Sequence, residues 1–148
     1  MASNRDKAGV KVILPNILGY ERMAMASSEA FAKMLGFSTE RVEDLKTAIA
    51  EAVINAIQHG NKGRPEAVVT TILDFYNDAM HISVIDEGVG IQDIPPKPDI
   101  NRIMTNLDSP IGFGLFLIQA LSDNVELNAD SSEGHCLKMI IKKIPNEL

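Results

Sequence analysis

Residues 51–60 read Glu51-Ala-Val-Ile-Asn55-Ala-Ile-Gln-His59-Gly60. A carboxylate and a carboxamide stand four positions apart in a stretch with helical periodicity, so both project from one face, one turn or about 5–6 Å apart. Leu45, Ile49, Ala52 and Ala56 repeat at helical spacing and form a core stripe, with Glu51, Asn55 and His59 along its flank. Ser38 or Thr39 caps this helix, Glu40 and Glu43 in its first turn complement the positive helix end, and Gly60 terminates it. The spacing suits a metal-phosphate site. Asn55 offers a neutral oxygen to Mg²⁺, which takes few protein ligands and completes its octahedron with phosphate and water. Glu51 is placed to orient or deprotonate a nucleophile attacking a terminal phosphate. His59 has two readings, a group that orients Glu51 or binds a ligand, and an imidazole bonded to a terminal carbonyl of its own helix.

Two later segments point to the same chemistry. The alternating run Met80-His-Ile-Ser-Val-Ile-Asp86 reads as a strand with Ile82, Val84 and Asp86 on one face, which directs an acid toward the core. A buried carboxylate needs donors, and the exocyclic amino group of adenine is one. Gly88 and Gly90 follow at once, where positive φ is allowed and a flat base can approach the backbone with no Cβ in the way. Further on, Gly112 and Gly114 stand where an apolar helical run begins, Leu115-Phe-Leu-Ile-Gln-Ala-Leu121. Free backbone N–H groups at a helix N-terminus favour phosphate.

In this order and spacing, the three segments resemble the N, G1 and G2 boxes of the GHKL-type ATPases, the superfamily with the Bergerat nucleotide-binding fold. Within it the chain is most similar to the bacterial anti-sigma-factor serine/threonine kinases of partner-switching systems. The Glu-Ala-x-x-Asn-Ala-x-x-His-Gly form of the first box and the stand-alone length favour that branch, over roughly residues 10 to 143.

The resemblance implies a two-layer α/β sandwich, with a mixed, mostly antiparallel sheet and its helices on one face. It also implies an enzyme that binds Mg·ATP, phosphorylates a serine or threonine of an anti-sigma-factor antagonist, and sequesters a sigma factor. Glu51 would be the catalytic base and Asn55 the Mg²⁺ ligand. Asp86 would read adenine, Gly88 and Gly90 would shape the base pocket, and Gly112 and Gly114 would cradle the phosphates. Three rivals stand beside this reading: a non-catalytic ATP-gated clamp, a histidine-kinase ATPase domain separated from its dimerisation helices, and a plain ATP hydrolase. The N-terminal strand and helix of residues 10–35 leave no room for a phosphoacceptor hairpin and disfavour the second. One departure from the family concerns the last strand, where relatives commonly place a threonine that supports the aspartate. Here Gly134 is followed by His135 and Cys136.

Composition narrows the rest. The chain has 148 residues, 45% hydrophobic and 23% charged, enough for one full core and no second domain. A net charge of −6 lacks the basic footprint of a nucleic-acid binder. The single Cys136 sits in an apolar run and reads as a buried structural thiol. Met1 to Gly9 is polar and reads as a disordered tail, no apolar run approaches the ~20 residues a bilayer requires, and the cytoplasm is the expected compartment. A homodimer is compatible with the sequence.

The remaining elements are a strand at 10–14, a helix opened by Pro15 or Asn16 that carries Ile17, Met23, Phe31 and Leu35 and closes at Gly36, and a hairpin of strands at about 67–75 and 80–86 turning near Asn77-Asp78. A second hairpin, 125–129 and 136–143, follows a helix at 112–123. Residues 91–111 have no clear period and read as a lid over the phosphates, in which Arg102 is the candidate γ-phosphate contact.

Overall fold

The computed structural model describes residues 9–88, 110–129 and 134–144. Among the described residues, five strands form one sheet: β1 (Val10–Pro15), β2 (Val68–Tyr76), β3 (Ala79–Asp86), β4 (Asn124–Ala129) and β5 (His135–Lys142). Their order is β1-β2-β3-β5-β4, and each of these neighbouring pairs is antiparallel, which resolves the expected mixed sheet into an antiparallel one. The helices are α1 (Glu21–Met34), α2 (Thr39–Asn55) and α3 (Pro110–Leu121).

Alternation along the strands builds the core. Leu73, Ile82 and Met139 lie in one cross-strand row of the sheet and are fully buried, as are Leu45 and Ile49 of α2 and Ile118 of α3. These residues belong to one hydrophobic cluster, so the helices cover a single face of the sheet. The β2–β3 hairpin turns through Asn77 and Asp78, both with φ near +55°, the pair of left-handed residues that a tight two-residue hairpin requires. Arg41 pins α2 to the far edge of the sheet: its guanidinium is nearly buried and meets Asp123 at 2.6 Å and the Lys142 carbonyl at 3.1 Å.

The first helix begins later than its sequence suggests. Strand β1 runs through Pro15, a turn follows, and α1 starts only at Glu21. Of the residues the sequence assigns to this helix, Ile17 falls in the turn before it; Ile17 and Met23 are both 55% exposed, whereas Phe31 is buried. The cause is local: Gly19 at φ +109° breaks any helix started at Pro15, and its N–H is taken by the Glu21 carboxylate at 2.7 Å. Gly36, at φ +86°, ends α1 where it was expected to. Ser38 caps α2 by accepting the Arg41 N–H at 3.2 Å. The tail at 1–8, most of the 91–111 segment with Arg102, and the tip of the β4–β5 turn lie outside the described residues.

Candidate nucleotide site

The C-terminal end of α2 and the C-terminal end of β3 meet at the site. Helix α2 does not stop cleanly. Its α-helical bonding ends at Asn55 and one π-helical turn, Ala56–Gly60, completes it, with the Asn61 N–H reaching the Ala56 carbonyl at 2.7 Å. Such widened turns are rare and frequently occur at functional sites. Here the turn brings the Gly60 backbone against β3: a Cβ on Gly60 would overlap the Asp86 carboxylate, and one on Gly88 would overlap the Gly60 carbonyl. Gly60 and Gly88 are therefore required for close backbone approach. Gly88 is not among the residues with positive φ, so the conformational freedom expected of it is not used. Gly90 lies outside the described residues.

Asp86 is 6% exposed, as expected of an acid on the core face of β3. One carboxylate oxygen accepts the Gly88 N–H at 2.8 Å, and the other is 3.4 Å from the His135 Nδ1. Thus His135, which breaks the family pattern in sequence, stands beside the aspartate. The register explains this: Asp86 and His135 are cross-strand partners at the end of the β3–β5 ladder.

Sequence reasoning missed Asn61, which is fully buried behind the same turn. Its carboxamide accepts the Glu87 N–H at 2.7 Å and donates to Asn16 Oδ1 and the Val68 carbonyl, each at 3.0 Å. One side chain thereby ties the β1–α1 turn, the start of β2 and the peptide after Asp86. Its only sequence signal is a polar residue directly after the terminating glycine, which ordinarily reads as a turn.

An open cleft lies between α2, the π-helical turn, α3 and the sheet, with about 410 Å³ of atom-free space, solvent at its mouth included. Ala52, Ala56, Val84, Leu115 and Leu137 give it apolar walls, while Asn55, His59, Asp86 and His135 supply its polar groups. Apolar walls with a few convergent polar groups suit a heterocyclic base. Two buried polar atoms with no protein partner are Asn55 Nδ2 and His135 Nε2, both on residues that line this cleft.

Glu51 and Asn55 come together as the spacing required. A Cβ on Gly114 would lie 3.0 Å from Glu51 Oε1 and 3.1 Å from Asn55 Nδ2, so α3 passes directly over both. Burial pushes the Glu51 carboxyl above its ordinary range. Gly112 is the third residue of α3, among the N–H groups a helix leaves free, whereas Gly114 is the fifth. His59 is exposed on the cleft rim, and none of the described hydrogen bonds ties it to a helix carbonyl.

The histidine kinase-like ATPase domain model matches residues 14–141. The chain is 32% identical to the serine-protein kinase RsbW of Listeria innocua, over 99% of this chain and 92% of that protein. It is 30% identical to the anti-sigma F factor of Clostridium beijerinckii, over 83% and 85% respectively. The crystal structure of the RsbU and RsbW domains of Rv1364c from Mycobacterium tuberculosis superposes with a TM-score of 0.63 at 16% identity, covering 90% of this chain and 32% of that one. Likeness at that identity speaks for the fold alone. Matched over nearly its whole described length by the family model and by full-length relatives, the chain belongs to the histidine kinase-like ATPase domain family.

Proposed function

We propose that residues 10–148 act as one ATP-binding domain of an anti-sigma-factor serine/threonine kinase, which transfers the terminal phosphoryl group of ATP to a hydroxyl of a small antagonist protein and alternately holds a sigma factor. The observation that carries the proposal is the cleft itself. The buried Asp86 carboxylate and Asn55 line it together with apolar walls, and Glu51, which is not one of the lining residues, adjoins Asn55 beneath Gly114 of α3. Nearly full-length relatives named serine-protein kinase and anti-sigma F factor support the choice of reaction and partners.

Each residue has a derived role. Asp86 accepts a hydrogen from the adenine amino group, because an ionised carboxylate is acceptor-only and one of its oxygens already takes the Gly88 N–H. Ala52, Val84 and Leu137 exclude water from the base. Gly112, with its N–H at the start of α3, turns the positive helix end toward the phosphates, and Gly114 lets α3 pass close over Glu51 and Asn55.

The Asn55 Oδ1 is a neutral oxygen that would suit a Mg²⁺ arriving with the nucleotide, and Nδ2, a buried donor with no protein partner, would be free to meet a phosphate oxygen. Among the described residues no cluster of three or more His, Cys, Asp or Glu could hold an ion by itself, so most ligands would come from phosphate and water. Bound there, Mg²⁺ would neutralise phosphate charge. Glu51 takes the proton of the incoming hydroxyl, a task for which its raised proton affinity suits it.

The test compares Asn55→Ala with Glu51→Ala. The first should weaken metal-dependent nucleotide binding and everything downstream. The second should still bind Mg·ATP and a sigma-like partner, yet lose phosphoryl transfer by roughly 10²–10⁴-fold. If radiolabelled ATP labels no captured partner of the parent protein while ATP still changes partner affinity, the chain is an ATP-gated clamp and the kinase reading fails.

A further inference from the structure

We infer that His135 determines the base specificity of this site, its Nε2 accepting a hydrogen from the exocyclic amino group of the purine alongside Asp86. The inference rests on the nucleotide-binding reading above and extends it to a residue that the family pattern does not supply.

The tautomer follows from the contact. Asp86 can only accept, so the Nδ1 that stands 3.4 Å from its carboxylate oxygen is the nitrogen that carries hydrogen. A neutral imidazole that is protonated on Nδ1 has a lone pair on Nε2. That atom is buried and has no protein partner, although the side chain is only 10% exposed and lines the cleft. A buried acceptor left unmade is costly, which makes the cleft selective for a ligand that brings a donor.

A primary amine on a purine brings two hydrogens. Asp86 takes one, and His135 takes the other. The same pair of acceptors meets an oxygen when the ring carries a carbonyl at that position, as guanine and hypoxanthine do, and acceptor against acceptor is repelled. A threonine hydroxyl, by contrast, can turn to donate or accept and would not impose this choice.

The experiment is a binding cycle by calorimetry with ATP and N6-methyl-ATP, on the parent and on His135→Ala, with ITP as the nucleotide that lacks the amine. Replacing one of the two hydrogens by methyl should cost the parent roughly three- to tenfold in affinity, the size of one neutral hydrogen bond. His135→Ala should bind ATP more weakly by a similar factor and lose most of the ATP to N6-methyl-ATP ratio, while Asp86 still holds ATP above ITP. His135→Gln, which keeps an amide N–H for Asp86 and an oxygen acceptor, should retain the ratio within a few-fold, and it serves if the alanine variant does not fold. An unchanged ATP to N6-methyl-ATP ratio in either folded variant that lacks the acceptor, His135→Ala or His135→Leu, overturns the assignment to His135 and leaves the nucleotide site standing. If the parent binds no purine nucleotide, both fall together.

Discussion

Gly114 on α3 packs directly against Glu51 on α2: a methyl group in place of its hydrogen would come within 3.0 Å of the carboxylate and 3.1 Å of the neighbouring Asn55 carboxamide. Stability and function should therefore respond oppositely to Gly114→Ala. The contacted atoms are ends of flexible side chains, which can give by a few tenths of an ångström, and alanine in a helix interior gains about 0.5–1 kcal/mol over glycine. The melting temperature should hold or rise, while Mg·ATP binding and phosphoryl transfer fall by about tenfold or more as both polar groups shift. A cooperative melt with unchanged transfer would show that the close approach has no role in positioning.

At the end of β3, Asp86→Asn keeps an oxygen for the Gly88 N–H but presents an amide N–H toward the His135 Nδ1, which also carries hydrogen. The imidazole must then change tautomer or move. ATP loses a charge-assisted bond worth roughly 1.5–3 kcal/mol, a drop of more than tenfold. Titration with ATP and with GTP checks this. Equal affinity of the folded variant and its parent for ATP, or equal binding of both nucleotides by the parent, would remove Asp86 as the adenine-reading group.

Much of this arrangement was legible in the sequence because it rests on period. Leu45, Ile49, Ala52 and Ala56 fell at helical spacing and are buried, and the alternation at Ile82, Val84 and Asp86 put an acid on the core face. What escaped depends on non-local approach. That Gly60 and Gly88 face each other is fixed by where α2 ends relative to β3, and the π-helical turn that sets this has no periodic signature. His135 reads as a departure from pattern until the β3–β5 register places it beside Asp86. The N-terminus of α1 is not legible because Pro15 is a good first helical residue in isolation, while Gly19, at positive φ with its N–H taken by the Glu21 carboxylate, moves the true start downstream.

Asn61→Ala should destabilise the fold and the base end of the cleft together. The carboxamide makes three hydrogen bonds and is fully buried, so its removal leaves the Glu87 N–H, the Val68 carbonyl and Asn16 to find other partners. A lost buried bond that strands its partner costs about 1–3 kcal/mol. Chemical denaturation should show a lowered midpoint, with ATP affinity reduced even where the variant is folded, since Glu87 adjoins the carboxylate that reads the base. A midpoint within error of the parent would demote Asn61 to a dispensable turn residue.

The pH dependence of stability and of transfer isolates Glu51. Burial raises its carboxyl above the ordinary value of 4.5, so the folded protein holds this proton more tightly than the unfolded chain does. Its contribution to stability is therefore greatest below 4.5 and is lost as pH rises through the elevated folded value, leaving an ionised, partly desolvated carboxylate at neutral pH. Glu51→Gln removes that ionisation. The variant should melt higher than the parent near neutral pH, and the difference should vanish on acidification below 4.5, where both side chains are neutral. Phosphoryl transfer should run the other way. The parent should lose activity on acidification through a limb lying above 4.5, and Glu51→Gln should be slower by roughly 10²–10⁴-fold and lack that limb. Melting differences independent of pH would show that the carboxyl is not perturbed by its burial. An acid limb retained in Glu51→Gln would assign the essential base to another residue, and His59 on the same cleft rim would be the first to test.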